Sequence, residues 1–483
     1  MAESLKATTI RNFGYNSVAK IIQLVVMAIA NIILTRTLVP ADYGIVGFAN
    51  IFTAFLAQFS DFGIGSAVIQ KKDLDQNELY TAFTLKVIIG GVIFVIAYAG
   101  APFALLFFDN PAIVNVIRIL AFTFIVNTFA MLPNILLTRN LDYKILATAN
   151  LIPIILNSIV AVTLAMLGFK YWSLVAASLV MSLTYCILMN YFHPVRYRFA
   201  FDLEAAKRFV SYGSNIFIAG FIAFVLFNAD NFVIGAVKGA TSLGYYSLAF
   251  NWGSMCCTII SSIVLAVLFP TFSKMQENHE RLKNSYLKVL EFISFGGVLV
   301  NMTLFVVSRD FLVLILGHNS DKWVPALVTL RILCFYGIVR LLLEPVGNVM
   351  MALGRTDILR KATVLVAIIE LSLLYPALNY AGIEGVALLV TFAYISQYIL
   401  YYQTLKSSLR LGYKELLTRI SPAILCIIPL FMLFVAGEYY GEISILLFIV
   451  KLVSCSAIYL VTYGIATKWK LYKDIRDLAG VRI

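Results

Sequence analysis

The residues in this chain able to do chemistry are ionisable groups stranded in apolar surroundings. The basic ones are Lys20, Lys86, Arg118, Arg331, Arg340 and Lys451; the acids are Asp61, Asp230, Glu344 and Glu370, with Glu291 nearer a segment end. A charge at membrane depth costs about 2.5–3.5 kcal/mol on insertion scales and usually faces a bundle interior or a watery cavity. An interior with more cations than acids suits an anionic solute, above all phosphate, which Arg and Lys bind through charge-assisted hydrogen bonds. The acids are the groups able to take up a proton or Na⁺. Lys20 lies with Asn12, Asn16, Gln23 and Asn31 on one helical stripe, and Asn50, Thr53 and Asp61 form a second stripe in the next apolar segment. Such stripes mean either a hydrated interior or interhelical hydrogen bonds that hold a bundle together. Arg340 and Glu344, four residues apart before Pro345, share a helix face; they form a neutralising pair at a kink or leave Arg340 for a ligand. Lys86 lies close enough to a segment end to snorkel. The six cysteines, all in apolar segments, read as small buried hydrophobes, and the three histidines sit at segment ends or in loops, so no metal site or catalytic dyad is expected.

The elements that must position these groups are membrane spans. Of the 483 residues 61% are hydrophobic and 13% charged, with mean hydropathy +0.90; a soluble domain carries about 25% charged residues. Apolar runs long enough to cross a hydrocarbon core of about 30 Å recur throughout. The polar start, Met1 to Arg11, lacks a cleavable signal pattern, so the first span is expected to be retained. The expected fold is an all-α polytopic membrane protein of about 14 spans. Basic residues crowd alternate connections, among them Lys71, Lys72, Arg139, Lys144, Arg196, Arg198, Lys274, Arg281, Arg355 and Arg360, whereas the others hold only Arg36, Lys170, Lys238, Arg309 and Lys322. This asymmetry puts both termini in the cytoplasm. It also accounts for the net charge of +12 without nucleic acid, through basic loops facing anionic lipid.

A repeat with an offset of roughly 200 residues runs through the chain. Residues 35–44 (TRTLVPADYG) match 239–246 (GATSLGYY); Leu137-Thr138-Arg139 with Asp142 matches Leu353-Gly354-Arg355 with Asp357. Two six-span lobes are expected, at 1–200 and 201–408, with helices 13–14 and a tail at 409–483.

The stretch Arg36-Thr37-Leu38-Val39-Pro40-Ala41-Asp42-Tyr43-Gly44 resembles the first-loop signature of the polysaccharide exporters, lipid-linked oligosaccharide (O-antigen-type) flippases of the superfamily that also holds the MATE drug exporters. Residues 61–70 (DFGIGSAVIQ) look like that family's second-span ending, with a lean toward colanic-acid-like exporters. Residues 228–235 (NADNFVIG), 243–249 (LGYYSLA) and 352–355 (ALGR) are similar to later parts of it. The resemblance implies a two-lobed bacterial inner-membrane transporter, without catalytic activity or cofactor, that moves an undecaprenyl-diphosphate-linked repeat unit from the cytoplasmic to the periplasmic leaflet by alternating access. Its diphosphate would meet Lys20, Lys86, Arg118 and Arg340, with Asp61, Asp230, Glu344 and Glu370 as candidates for a coupling proton or Na⁺. Partners would be the lipid-linked oligosaccharide, membrane lipid, and a polysaccharide polymerase with other assembly proteins. A MATE-type exporter of organic cations would want an acid-dominated interior, and a polymerase or ligase a large external loop. The longest outer connection, Ser308–Lys322, offers only Arg309, Asp310, His318 and Asp321.

Overall fold

The computed structural model describes residues 2–61, 63–71, 74–140, 142–440 and 443–469. Its helices are α1 (Ala2–Thr37), α2 (Pro40–Asp61), α3 (Ile64–Gln70), α4 (Gln76–Gly100), α5 (Ala112–Arg139), α6 (Tyr143–Met166), α7 (Trp172–Phe192), α8 (Leu203–Ser273), α9 (His279–Asp310), α10 (Leu327–Ala352), α11 (Thr356–Leu409), α12 (Tyr413–Leu425), α13 (Ile427–Tyr440) and α14 (Ile445–Ala466). Among the described residues, twelve helical stretches are long and apolar enough to cross a membrane. The chain is an all-α polytopic membrane protein. Helix α4 shows how the sequence builds such a span. Ile88, Val92, Val95 and Ile96 are exposed along one face, while Phe83, Lys86, Gly90, Ile93 and Ala97 are buried on the other. The apolar face is the outer one, as lipid requires, and the small residues let neighbouring helices approach.

Two helices are too long to be straight. A 71-residue α8 would extend about 105 Å at 1.5 Å per residue. Gly239 interrupts it at φ 77°, a left-handed backbone that costs glycine nothing. The limbs fold back on each other: Asp230 Oδ2 accepts from the Tyr246 hydroxyl at 2.7 Å, and Ser247 donates to Asn231 Oδ1 at 3.3 Å. Sixteen residues of straight helix would separate each pair by about 24 Å. The 54-residue α11 breaks likewise at Ala381 and Gly382, the latter at φ 63°. There Gly385 lies against the Ala377 carbonyl, so close that a Cβ would sit 2.4 Å from the oxygen.

Contacts divide the chain into two compact units, Met1–Ser247 and Leu248–Ile483. In the first, α1 packs on α6, α6 on α7, and α2 on α4 and α5. Helix α2 also runs antiparallel to the first limb of α8 through a row of rings: Phe48 with Phe232 at 5.5 Å, Phe55 with Phe221 at 5.8 Å, Phe59 with Phe217 at 5.1 Å. The capping box of α4, Asp75 with Glu78, is buried in part by charge: Glu78 is 6% exposed and accepts from Lys71 and, at 2.8 Å, from Arg208. In the second unit α9 is the central post. It packs on α10, and α12 to α14 lean on it. Three ion pairs fasten them: Lys283–Glu415 at 2.9 Å, Glu291–Arg419 at 2.6 Å and Asp310–Lys451 at 2.7 Å.

The connections differ from expectation at two places. The link before α9 is shorter than the Ser273–Tyr286 stretch suggests, because helix resumes at His279 with Asn278 capping the Arg281 amide. The stretch Ser308–Lys322 is mostly helical: α9 continues to Asp310, a π-helical turn spans Phe311–Leu316, and a 3₁₀ turn spans Asp321–Ala326. Irregular backbone is confined there to residues 317–320.

Candidate functional site

The signature around Val39-Pro40-Ala41-Asp42 is built for packing. Asp42 is 5% exposed; its Oδ2 accepts from the Val39 amide at 3.1 Å and its Oδ1 from the Tyr171 amide at 3.2 Å. One carboxylate thus caps α2 and ties the α1–α2 corner to the start of α7, satisfying donors that a helix N-terminus otherwise leaves open. The two corners of the repeat then meet. A Cβ on Gly44 would lie 1.8 Å from the Ala240 oxygen, and one on Gly244 would lie 2.0 Å from the Pro40 oxygen. Pro40 and Ala240, and Gly44 and Gly244, are each two hundred residues apart, so the crossing is reciprocal, as a two-fold relation demands. The flanking clasps share that offset in their acceptors only: Tyr43 donates to Asn31 Oδ1, and Ser247 to Asn231 Oδ1, both at 3.3 Å.

The cations differ in how far they are already engaged. Lys20 is exposed on α1, beside buried Gln23. Lys86 is 7% exposed, and its amine donates to the Ser60 carbonyl at 2.6 Å, in the last turn of α2, where the helix dipole and open carbonyls favour a cation. Arg118 lies over the Tyr98 ring at 5.3 Å with Nε 3.4 Å from the Tyr98 carbonyl, bridging α5 to α4. Arg340, half-buried on α10, donates to the Tyr336 hydroxyl at 2.7 Å and has the Tyr394 ring 5.9 Å from its central carbon. Arg331 donates to Ser308 Oγ at 2.9 Å and lies 4.7 Å from the Phe434 ring.

Among the acids, Asp230 is buried and accepts from the Tyr246 hydroxyl, the Asn231 amide and the Asn231 side chain. Glu370 is buried at 7% on the first limb of α11. Glu344 is half-buried beside Arg340 and Ser261. The Asp61 side chain lies outside the described residues, as do those of Asn12, Asn16 and Lys72 and the basic tail from Lys470. Two buried acids escape a reading by hydropathy. Glu78 follows a polar run, and Asp310 follows Arg309 at a span end. Their cationic partners, Arg208 and Lys451, stand 130 and 141 residues away. Among the described residues no group of three or more His, Cys, Asp or Glu side chains is placed to hold a metal ion.

The site is therefore a set of cations and acids on long helices. Against known proteins, the family model described as "Polysaccharide biosynthesis protein" matches residues 33–327, more than half of the chain. The chain belongs to the polysaccharide biosynthesis protein family. The match begins just before the first-loop signature and runs through both glycine corners. A membrane protein from the cps region of Klebsiella pneumoniae is 24% identical over 98% of each chain. The lipopolysaccharide biosynthesis protein WzxC of Escherichia coli K12 is 26% identical over 85% of this chain and 84% of its own. By shape, the family member resembles the lipid II flippase MurJ in an inward closed conformation, with TM-score 0.76 over 95% of this chain and 99% of that one at 14% identity. An inward-facing multidrug resistance MATE transporter gives 0.64 over 80% and 96%, also at 14%. The fold is that of membrane transporters.

Proposed function

We propose that this protein is a flippase that carries an undecaprenyl-diphosphate-linked oligosaccharide repeat unit from the cytoplasmic to the periplasmic leaflet by alternating access, for surface polysaccharide synthesis. The observation that carries the reading is the conjunction of family and fold. A polysaccharide biosynthesis chain has the fold of a lipid II flippase along 95% of its length. A lipid-linked sugar is amphiphilic. Its polyprenyl tail can remain in lipid while the diphosphate and sugar need a polar, cationic route, and the deep basic residues supply one.

On this reading the chain has fourteen spans, because two of the twelve candidate stretches, in α8 and α11, are broken by left-handed glycines and fold back. The lobes are residues 1–200 and 201–408, with residues 409–483 outside the repeat, and both termini are cytoplasmic. Lys20 and Arg340 are the first candidates for the diphosphate. Lys20 is accessible, and Arg340 presents a guanidinium already oriented by Tyr336 and Tyr394. Lys86 and Arg118 rank below them because backbone carbonyls already hold their charge. Asp61, Asp230, Glu344 and Glu370 are candidates to couple a proton or Na⁺ to transport. The polymerase that consumes the flipped unit is a candidate partner.

Deleting the gene tests the function. The expected result is loss of the surface glycan with accumulation of complete lipid-linked repeat units on the cytoplasmic side. A deletion strain that still delivers repeat units to the periplasmic leaflet, with no second exporter present, would contradict it.

A further inference from the structure

Asp310 closes α9 at 2% exposure. Its Oδ2 accepts from Lys451 of α14 at 2.7 Å, whereas Oδ1 has no hydrogen-bond partner among the described residues. Thr329, in the first turn of α10, is fully buried, and its hydroxyl oxygen likewise has no partner there. Arg331 of α10 bonds Ser308 of α9, two residues before Asp310. The π-helical turn Phe311–Leu316 begins at the next residue. Such turns redirect backbone groups and recur at functional sites.

An ion pair is a costly way to dock a helix in an apolar interior, because both charges lose water, and an orphaned carboxylate oxygen adds to the cost. Helix α14 has other anchors on α9: the Tyr459 hydroxyl donates to the Phe295 carbonyl at 2.9 Å, and the Tyr463 ring meets Phe295 at 4.8 Å. The charged groups around Asp310 are Lys451 from α14, Arg331 from α10, its neighbour Arg309, and Asp321 and Lys322 on the short helix that follows the π turn. Arg331 is turned to Ser308 and to the Phe305 and Phe434 rings, and from α13 Gly437 packs on the Lys451 stem. The lysine is therefore the cation in direct contact with the carboxylate.

We infer that Asp310 is a Na⁺ site in which the ion, taken up at the open carboxylate oxygen, competes with the tethered ammonium of Lys451. No covalent step is involved. The ammonium withdraws, and the site gains one positive charge. Cation uptake then loosens the link between α14 and α9. The inference rests on the transporter reading only for the use made of the ion, and the site itself is tested without any lipid-linked sugar.

The test is the thermal stability of the purified full-length protein in detergent. Stability is followed against NaCl with choline chloride holding the ionic strength. The wild type should be stabilised by Na⁺. Asp310→Asn should lose that response. Lys451→Met should respond at a cation concentration roughly tenfold lower, because the built-in competitor is gone. A purely structural pair predicts the opposite: no response in any variant, with Lys451→Met simply less stable. That result, or an Asp310→Asn protein that responds like wild type, would overturn the inference. If Lys451→Met does not accumulate, wild type against Asp310→Asn decides the matter, and the double replacement Asp310→Asn with Lys451→Met should fold and remain blind to the ion. Loss of glycan export plays no part in the readout, so the flippase reading stands or falls separately.

Discussion

Gly44 of α2 rests on the Ala240 carbonyl so closely that a single methyl group would enter to 1.8 Å of the oxygen. The reciprocal contact, Gly244 on Pro40, leaves 2.0 Å. Both obstacles are backbone atoms, so no rotamer change relieves the overlap, and overpacking of this kind costs about 1–3 kcal/mol. In an alternating-access cycle this crossing must close in one state and part in another. Gly44→Ala and Gly244→Ala should therefore each lower glycan export, by roughly thirtyfold at the middle of that range, with membrane protein level within about twofold. The check is labelling of a cysteine placed at Thr241 with a membrane-impermeant maleimide. The wedge variants should label faster than the parent, and equal labelling with normal export would show that the crossing does not separate in the cycle.

Asp230 and Tyr246 join the two limbs of α8 across the Gly239 turn, and the carboxylate receives two further donors from Asn231. A buried charge-assisted hydrogen bond contributes about 1.5–3 kcal/mol. Tyr246→Phe and Asp230→Asn should each lower thermal stability, and the double variant should lose less than the sum, because both remove the same bond. If Asp230 also binds the driving ion, Asp230→Asn abolishes export at intact protein level while Tyr246→Phe only weakens it. Equal export by the two variants would confine Asp230 to the hairpin.

Much of this molecule is legible in its sequence, and the parts that are not share a cause. Span positions follow from hydropathy, and the match between residues 35–44 and 239–246 is visible by eye. That these two segments touch each other is not visible, because a pattern reports likeness and not contact. Lys86 reads as a snorkelling cation, because a backbone carbonyl such as that of Ser60 leaves no mark in a sequence. Asp310 reads as a loop residue because it follows Arg309 and precedes a glycine-containing turn. Helix continues past it, and burial comes from Lys451 on a helix 141 residues later. Sequence spacing finds partners within a turn or two of helix; partners from distant helices need the fold.

The basic-residue asymmetry predicts an orientation that reporter fusions can check at two irregular links. Fusions after Glu277, between α8 and α9, should report cytoplasm. Fusions after Asn319, in the link of residues 317–320, should report periplasm. Reversed signals at both sites would invert the assigned direction of transport.

Arg340 is held by Tyr336 and flanked by Tyr394, which fixes its guanidinium before any ligand arrives. Arg340→Ala and Lys20→Ala should each reduce export strongly at normal protein level. Arg340→Lys should recover part of it, since an ammonium keeps the charge and loses the planar fork. Tyr336→Phe should cost less than Arg340→Ala because it removes one orienting bond. Restoration of export by Arg340→Ala combined with Glu344→Ala would instead assign Arg340 to neutralising Glu344.

The central claim is movement of a lipid-linked sugar between leaflets, and reconstitution measures it directly. Purified protein is placed in liposomes carrying an undecaprenyl-diphosphate-linked oligosaccharide, and an impermeant glycosidase reports the fraction of sugar exposed outside as it changes with time. Wild-type protein should expose sugar from the inner leaflet beyond the half that is accessible in protein-free vesicles, under a proton or Na⁺ gradient if one is needed. Lys20→Ala and Arg340→Ala should stay near the protein-free value. Sugar that remains at that value with wild-type protein under either gradient, while the same vesicles transport a small organic cation, would contradict the account.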